Sequence, residues 1–218
     1  MTPRPRVKVC GITRPEDGAA CLAAGADLLG VLFAESPRKV SPARARAIRA
    51  ALPSATLVGV FVDPSPEEAA DRVRACGLDR VQLHGDETPE ACAAIRAAAG
   101  VPVMKAFRLG PRPAPAPEAL AACGAEYVLL DLEKGLPPEA RGAAAAALLE
   151  AGRRAAEAGL RVFVAGGLTP ENVGDAVRRA RPYGVDVSRG VEAAPGIKDP
   201  AAVERFVAEV RACSRDET

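Results

Sequence analysis

Cys10 closes a short apolar run, Val7-Lys8-Val9-Cys10, and Gly11 follows at once. The β-branched alternation around it suits a strand, and Gly11 permits a sharp turn and a close approach of backbone to ligand. A thiol at the carboxyl end of a strand, beside Lys8 and ahead of a helix start, is placed to work as a thiolate base. A cysteine in such a run also serves as a small buried hydrophobe, and the local sequence fits both uses. Asp131 emerges from a second apolar run, Tyr127-Val128-Leu129-Leu130. Desolvation there raises a carboxyl pKa and favours general-acid work. The other use of a strand-end carboxylate is to accept neighbouring backbone N–H groups. A base and an acid flanking one substrate are what an aldose–ketose isomerisation needs.

Anion-binding signals accompany this pair. Gly166-Gly167 leads to Thr169-Pro170, which reads as a capped helix start, and Ser188-Arg189-Gly190 follows the run Val185-Asp186-Val187. Bare backbone N–H groups in two such loops suit a phosphate, although glycines also simply permit tight turns. Asp186, Ser188 and Gly190 join Gly166 and Gly167 as candidate substrate-binding residues. Arg38, in Ser36-Pro37-Arg38-Lys39, has a planar fork that suits a substrate carboxylate; a solvated loop charge is the alternative. Asp63, Gln82 and Lys105 also fall at strand ends, and His84 reads as a residue that orders the mouth rather than one that reacts.

These residues sit at regular intervals. The apolar runs predict strands over 6–12, 27–33, 56–62, 80–84, 101–107, 127–132, 161–166 and 184–188. Helices alternate with them, starting at Ser41-Pro42, Ser65-Pro66, Thr88-Pro89, Thr169-Pro170 and Asp199-Pro200, each a capping side chain followed by proline. Thr13 with Glu16 three residues later predicts a capping box for the first helix. Eight strands and eight helices without a break in composition predict one (β/α)8 TIM barrel over residues 1–218, in the α/β class. A doubly wound sheet would carry a glycine-rich fingerprint after its first strand, and Cys10-Gly11-Ile12-Thr13 is not one. The proline-rich stretch 110–117 is a connector, because the alternation resumes in phase beyond it.

Composition narrows the partners. With 29 Lys+Arg against 28 Asp+Glu there is no surplus charge for nucleic acid or an anionic membrane. No run is long and apolar enough to span a membrane and no signal-peptide pattern opens the chain, so a soluble cytoplasmic protein is expected. Cys21, Cys76, Cys92, Cys123 and Cys213 fall in alanine-rich helical stretches that suit packing, and without a CxxC pair no zinc site is expected. The sequence carries no signal of oligomeric state.

Taken together, Val7-Lys8-Val9-Cys10-Gly11-Ile12-Thr13, Ser36-Pro37-Arg38, Val81-Gln82-Leu83-His84-Gly85-Asp86-Glu87, Leu129-Leu130-Asp131, Gly166-Gly167-Leu168-Thr169-Pro170-Glu171-Asn172-Val173 and Val185-Asp186-Val187-Ser188 with Gly190-Val191-Glu192 resemble the phosphoribosylanthranilate isomerase family, in its order and spacing. The resemblance implies the Amadori rearrangement of N-(5-phosphoribosyl)anthranilate in tryptophan biosynthesis, a small phosphorylated substrate. By that resemblance Asp131 protonates the ribose ring oxygen and Cys10 takes the proton from sugar C2. Arg38 holds the anthranilate carboxylate, and the two glycine-bearing loops hold the phosphate. No metal or cofactor is implied, because the imine is itself the electron sink. Three positions depart from the family pattern: the stretch 132–139 replaces a glycine-rich segment, Ala165 stands where serine is usual, and Arg189 replaces a second serine. The stiff Leu136-Pro137-Pro138 predicts a more open mouth. Two other readings stay open at this level: a relative acting on another phosphorylated amino-sugar, and a non-catalytic phosphosugar-binding barrel.

Overall fold

The computed structural model describes residues 4–110 and 113–213. All eight expected strands form: β1 (Arg6–Cys10), β2 (Leu28–Leu32), β3 (Leu57–Phe61), β4 (Arg80–Leu83), β5 (Val103–Leu109), β6 (Tyr127–Leu132), β7 (Val162–Val164) and β8 (Gly184–Val187). They pair in parallel in chain order, and β8 pairs β1 to close the barrel. Closure leaves no free sheet edge. The helices α1 (Pro15–Ala24), α2 (Pro42–Ala51), α3 (Pro66–Cys76), α4 (Pro89–Ala99), α5 (Pro117–Ala121), α6 (Pro138–Glu157), α7 (Val173–Ala180) and α8 (Pro200–Cys213) alternate with the strands. A two-stranded antiparallel hairpin, β9 (Glu192–Ala194) with β10 (Ile197–Lys198), rises from the connection between β8 and α8. The expected connector over 110–117 does precede α5, though Pro111 and Arg112 lie outside the described residues.

Strand alternation divides the apolar residues into two cores. Val7, Val9, Val81, Leu83, Val162 and Val164 face outward and pack with Ile48, Ile95 and Phe206 of the helices. The opposite parity faces the barrel axis, where Leu28, Val58, Met104, Leu129 and Phe163 form a second cluster. That parity decides which strand-end residues reach the mouth. Register alignment puts Lys8 beside both Leu28 and Asp186, and Cys10 beside Gly30, all on the inner face. Lys105 aligns with Leu83 and faces the helix layer instead.

Local capping forms at four of the six helix starts where the sequence signals it. Ser41, Ser65 and Thr88 accept hydrogen bonds from the amides of Arg44, Glu68 and Ala91, and the Asp199 carboxylate takes the amides of Ala201 and Ala202. Two expected caps do not form. Thr13 donates its hydroxyl to the Gly196 carbonyl at 2.6 Å, and α1 starts after Arg14 without a side-chain cap. At Thr169 the chain turns once more before α7 begins at Val173. Asn172 Oδ1 takes the Thr169 amide at 2.8 Å, so the threonine begins a turn rather than a helix. In both places a long-range or side-chain partner outcompetes the local signal. Cys123 also lies just past α5 rather than within it, yet it is buried like the other five cysteines.

Candidate active site

Cys10 and Lys8 project side by side from β1 towards Gly30 on β2. A Cβ added to Gly30 would lie 2.8 Å from Cys10 Sγ and 3.2 Å from Lys8 Nζ, so the missing side chain makes room for both. Lys8 is fully buried and donates to Asp186 Oδ1 at 2.9 Å, a charge-assisted bond joining the first strand to the last. Burial pushes the Cys10 thiol up, while Lys8 and, more weakly, Lys198 pull it down. The net direction is upward. Burial opposes the charge on Lys8 as well, but Asp186 and Cys10 together hold it above its ordinary value. Burial likewise pushes Asp186 up against the pull of Lys8, and Asp131 across the mouth adds to the rise.

Asp131 lies three strands away around the barrel, at the end of β6. Its Oδ1 accepts the Leu132 amide at 2.8 Å, the local bond expected of a strand-end carboxylate. Its Oδ2 remains half-open, 3.4 Å from His84 Nε2. On the far side of the imidazole, Gln82 Nε2 stands 3.0 Å from His84 Nδ1. An amide donating there makes Nδ1 an acceptor and puts the ring proton on Nε2, the nitrogen nearer Asp131. His84 therefore stands between Gln82 and Asp131 at the mouth.

The other strand-end candidates stay out of the mouth. Lys105 donates to the Gly85 carbonyl at 2.8 Å and to Glu87 Oε2 at 2.7 Å behind the sheet. Asp63, at φ +46°, accepts the Asp86 amide and shapes the turn after β3. Gln82 is buried inside the barrel, with Oε1 unpartnered among the described residues.

The glycine-bearing loops after β7 and β8 meet. Gly166 and Gly167 both adopt left-handed backbone, φ +91° and +79°, which glycine reaches without strain. Among the described residues neither amide donates to a backbone carbonyl. A Cβ on Gly190 would fall 1.9 Å from the Leu168 carbonyl oxygen, so the two loops pack backbone against backbone and only glycine fits. Ser188 precedes the single 3-10 turn Arg189–Val191, and the Arg189 side chain is exposed. No helix N-terminus stands at Thr169 to add its dipole, because α7 starts one turn later.

Arg38 reaches this end of the barrel over Gly11, whose added Cβ would lie 2.6 Å from Arg38 Cδ. Its Nε and Nη2 donate to Glu192 at 2.8 and 2.6 Å. Glu192 is a residue for which the sequence offers no role: its partner lies 154 positions away. Lys8, read from the sequence only as a neighbour of the thiol, could have been singled out alongside Asp186, since each interrupts an apolar run at an inward position. A cavity of about 170 Å³ lies between α6 and α7, behind Gly166 and away from the barrel axis, lined by residues such as Leu148, Leu168 and Ala176. No cluster of His, Cys, Asp and Glu suited to a metal ion occurs among the described residues, and no helix is long and apolar enough to cross a membrane.

Three comparisons bear on this constellation. The family model for N-(5'-phosphoribosyl)anthranilate (PRA) isomerase matches residues 7–209. The N-(5'-phosphoribosyl)anthranilate isomerase of Myxococcus xanthus strain DK1622 is 46% identical over 204 residues, covering 93% of this chain and 94% of the relative. The crystal structure of phosphoribosyl anthranilate isomerase from Thermus thermophilus superposes with a TM-score of 0.79 at 39% identity, covering 95% of this chain and 98% of that one. A further isomerase structure, in complex with reduced 1-(o-carboxyphenylamino)-1-deoxyribulose 5-phosphate, superposes with a TM-score of 0.78 at 35% identity, covering 95% of this chain and 99% of that one.

Proposed function

The chain belongs to the N-(5'-phosphoribosyl)anthranilate isomerase family, and from that premise we propose that it rearranges N-(5'-phosphoribosyl)anthranilate to the 1-deoxyribulose 5-phosphate product in tryptophan biosynthesis, as one barrel domain over residues 1–218. Asp131 delivers a proton to the ribose ring oxygen. The ring C–O bond breaks, and the nitrogen lone pair forms the C1=N bond of a Schiff base. Cys10 then removes the proton from C2, and that electron pair flows into the imine to give an enolamine. The thiol returns its proton to C1 while the C2 hydroxyl proton passes to the Asp131 carboxylate, which forms the C2 ketone and restores both groups. The electron sink is the substrate's own imine, so the reaction needs no cofactor.

The observation that supports this reading most is the placement of two proton-transfer groups across one mouth. Cys10 stands at the end of β1, and Asp131 at the end of β6, with its Oδ2 open and His84 3.4 Å away. Lys8 lies beside the thiol and stabilises the thiolate as it forms. Asp186, bonded to Lys8, lies between the base and the acid and suits a sugar hydroxyl. The free amides of Gly166 and Gly167, with Ser188 and Gly190 opposite, suit the phosphate. Arg38 suits the anthranilate carboxylate. A cytoplasmic location follows from a biosynthetic role of this kind.

Expression of this gene in a tryptophan-requiring host lacking the isomerase tests the proposal. Growth without tryptophan, together with turnover of N-(5'-phosphoribosyl)anthranilate by the purified chain, is the expected result. Failure of both, with phosphate ligands still bound, would favour another amino-sugar substrate.

A further inference from the structure

The hairpin after β8 contributes two charged residues that none of the chemistry above uses, and both are buried. The Lys198 side chain is 0% exposed and the Glu192 side chain 5%. Lys198 Nζ donates to the carbonyl of Cys10 at 2.7 Å, to that of Ser188 at 3.2 Å and to Glu192 Oε1 at 2.8 Å. Glu192 in turn accepts both Nε and Nη2 of Arg38 and the Gly196 amide. One continuous set of bonds therefore ties the strand end that bears the thiol, the loop that bears Arg38 and the loop assigned to phosphate. Thr13 fastens the hairpin tip from the side of β1 through Gly196.

Such a cluster is a poor source of net stability, since the desolvation of buried ions consumes most of their attraction. Its consequence is geometric. A guanidinium engaged through Nε and Nη2 is held in one plane, and its free edge, Nη1, is left for a ligand. The cluster sets one carboxylate against two cations, Arg38 and Lys198, so it retains one positive charge for an anion to meet. We propose that Glu192 is a positioning residue that aims the free edge of Arg38 at the aryl carboxylate of the substrate, with Lys198 locking that aim to the position of Cys10. This rests on Arg38 being the carboxylate site. Preference for an ortho-carboxylated ring would then belong to Glu192 as much as to Arg38.

The test compares two ligands on the whole enzyme: reduced 1-(o-carboxyphenylamino)-1-deoxyribulose 5-phosphate and its counterpart without the carboxyl group. The native chain is expected to bind the carboxylated ligand about 10- to 100-fold more tightly, the scale of a hydrogen-bonded charge. Glu192→Gln cannot accept both guanidinium bonds, and should reduce this preference to the level of Arg38→Met while leaving affinity for the counterpart within about twofold. Glu192→Asp keeps the charge but shortens the reach, and should lose most of the preference as well. In the Arg38→Met background neither change should have a further effect on it. Full preference in Glu192→Gln or Glu192→Asp would overturn the proposal, as would an equal loss for both ligands. If Arg38→Met keeps the preference, the carboxylate assignment of Arg38 fails first and the proposal falls with it.

Discussion

The two ends of the barrel interior are built from opposite materials. At the amino-terminal end, Tyr127, Phe163 and Tyr183 pack with ring centroids 5.6 to 6.1 Å apart, and Arg80 lies over the Tyr127 ring at 4.6 Å. Ring edges meet ring faces there, and the space is filled. At the carboxyl-terminal end β1, β6 and β8 present Lys8, Cys10, Asp131 and Asp186, with Gly30 leaving room beside the first two. The charged end, held open, is where burial shifts proton affinities. Stability and chemistry are thereby separable by substitution.

The largest expected effect belongs to the filled end. Phe163 is fully buried, and Phe163→Ala should cost about 3–5 kcal/mol in denaturant unfolding. Folded enzyme at low temperature should keep its kcat, because the ring lies below the mouth. A kcat loss exceeding the loss of folded protein would blur the division between the two ends. At the open end, Cys10→Ser and Asp131→Asn should each lower kcat by at least ~100-fold, the scale of a lost proton-transfer group. Melting temperatures should move little. Near-native turnover in either variant would remove that residue from the chemistry.

The pH dependence sharpens the contrast. Burial holds the Cys10 thiol above its ordinary value, so the thiolate absorbance that Cys10→Ser removes should keep growing beyond the usual thiol range. A plateau reached by neutral pH would contradict a buried thiol as the base. Glu192 is held below the ordinary carboxylate range because its bonds to Arg38 and Lys198 outweigh burial. Its contribution to stability is complete above the unfolded value and is lost as pH falls through the folded one. Glu192→Gln should therefore flatten the acid limb of a melting-temperature profile. The smallest effect lies on the outer ring: Ser65 accepts the Glu68 amide, and Ser65→Ala should cost about 1 kcal/mol without touching turnover.

Much of this was legible from residue types alone. The strands are runs of β-branched and other apolar residues long enough to cross the barrel once, and Ser41, Ser65, Thr88 and Asp199 announce helices through short-range bonds. Cys10, Asp131 and the glycine pairs stand out because each breaks such a run at its carboxyl end. The misreadings arise where a distant partner or a nearby side chain takes the group, or where register decides a parity. Thr13 and Thr169 carry cap signals, but Gly196 and Asn172 engage them first. Lys105 reads as a strand-end residue, yet it lies within β5, where alignment with Leu83 turns it to the helix layer. Lys8 and Asp186 meet only because β8 closes on β1.

The most direct test of the division of labour between thiol and carboxyl uses substrate deuterated at ribose C2, with turnover measured for the native chain and both variants. If Cys10 takes the C2 proton, the residual turnover of Cys10→Ser should show a larger primary isotope effect than the native enzyme, because C–H cleavage has become limiting. In Asp131→Asn the effect should shrink, because ring opening then limits. A residual Cys10→Ser reaction insensitive to deuterium, or an Asp131→Asn reaction more sensitive than the native one, would contradict the assignment of base and acid.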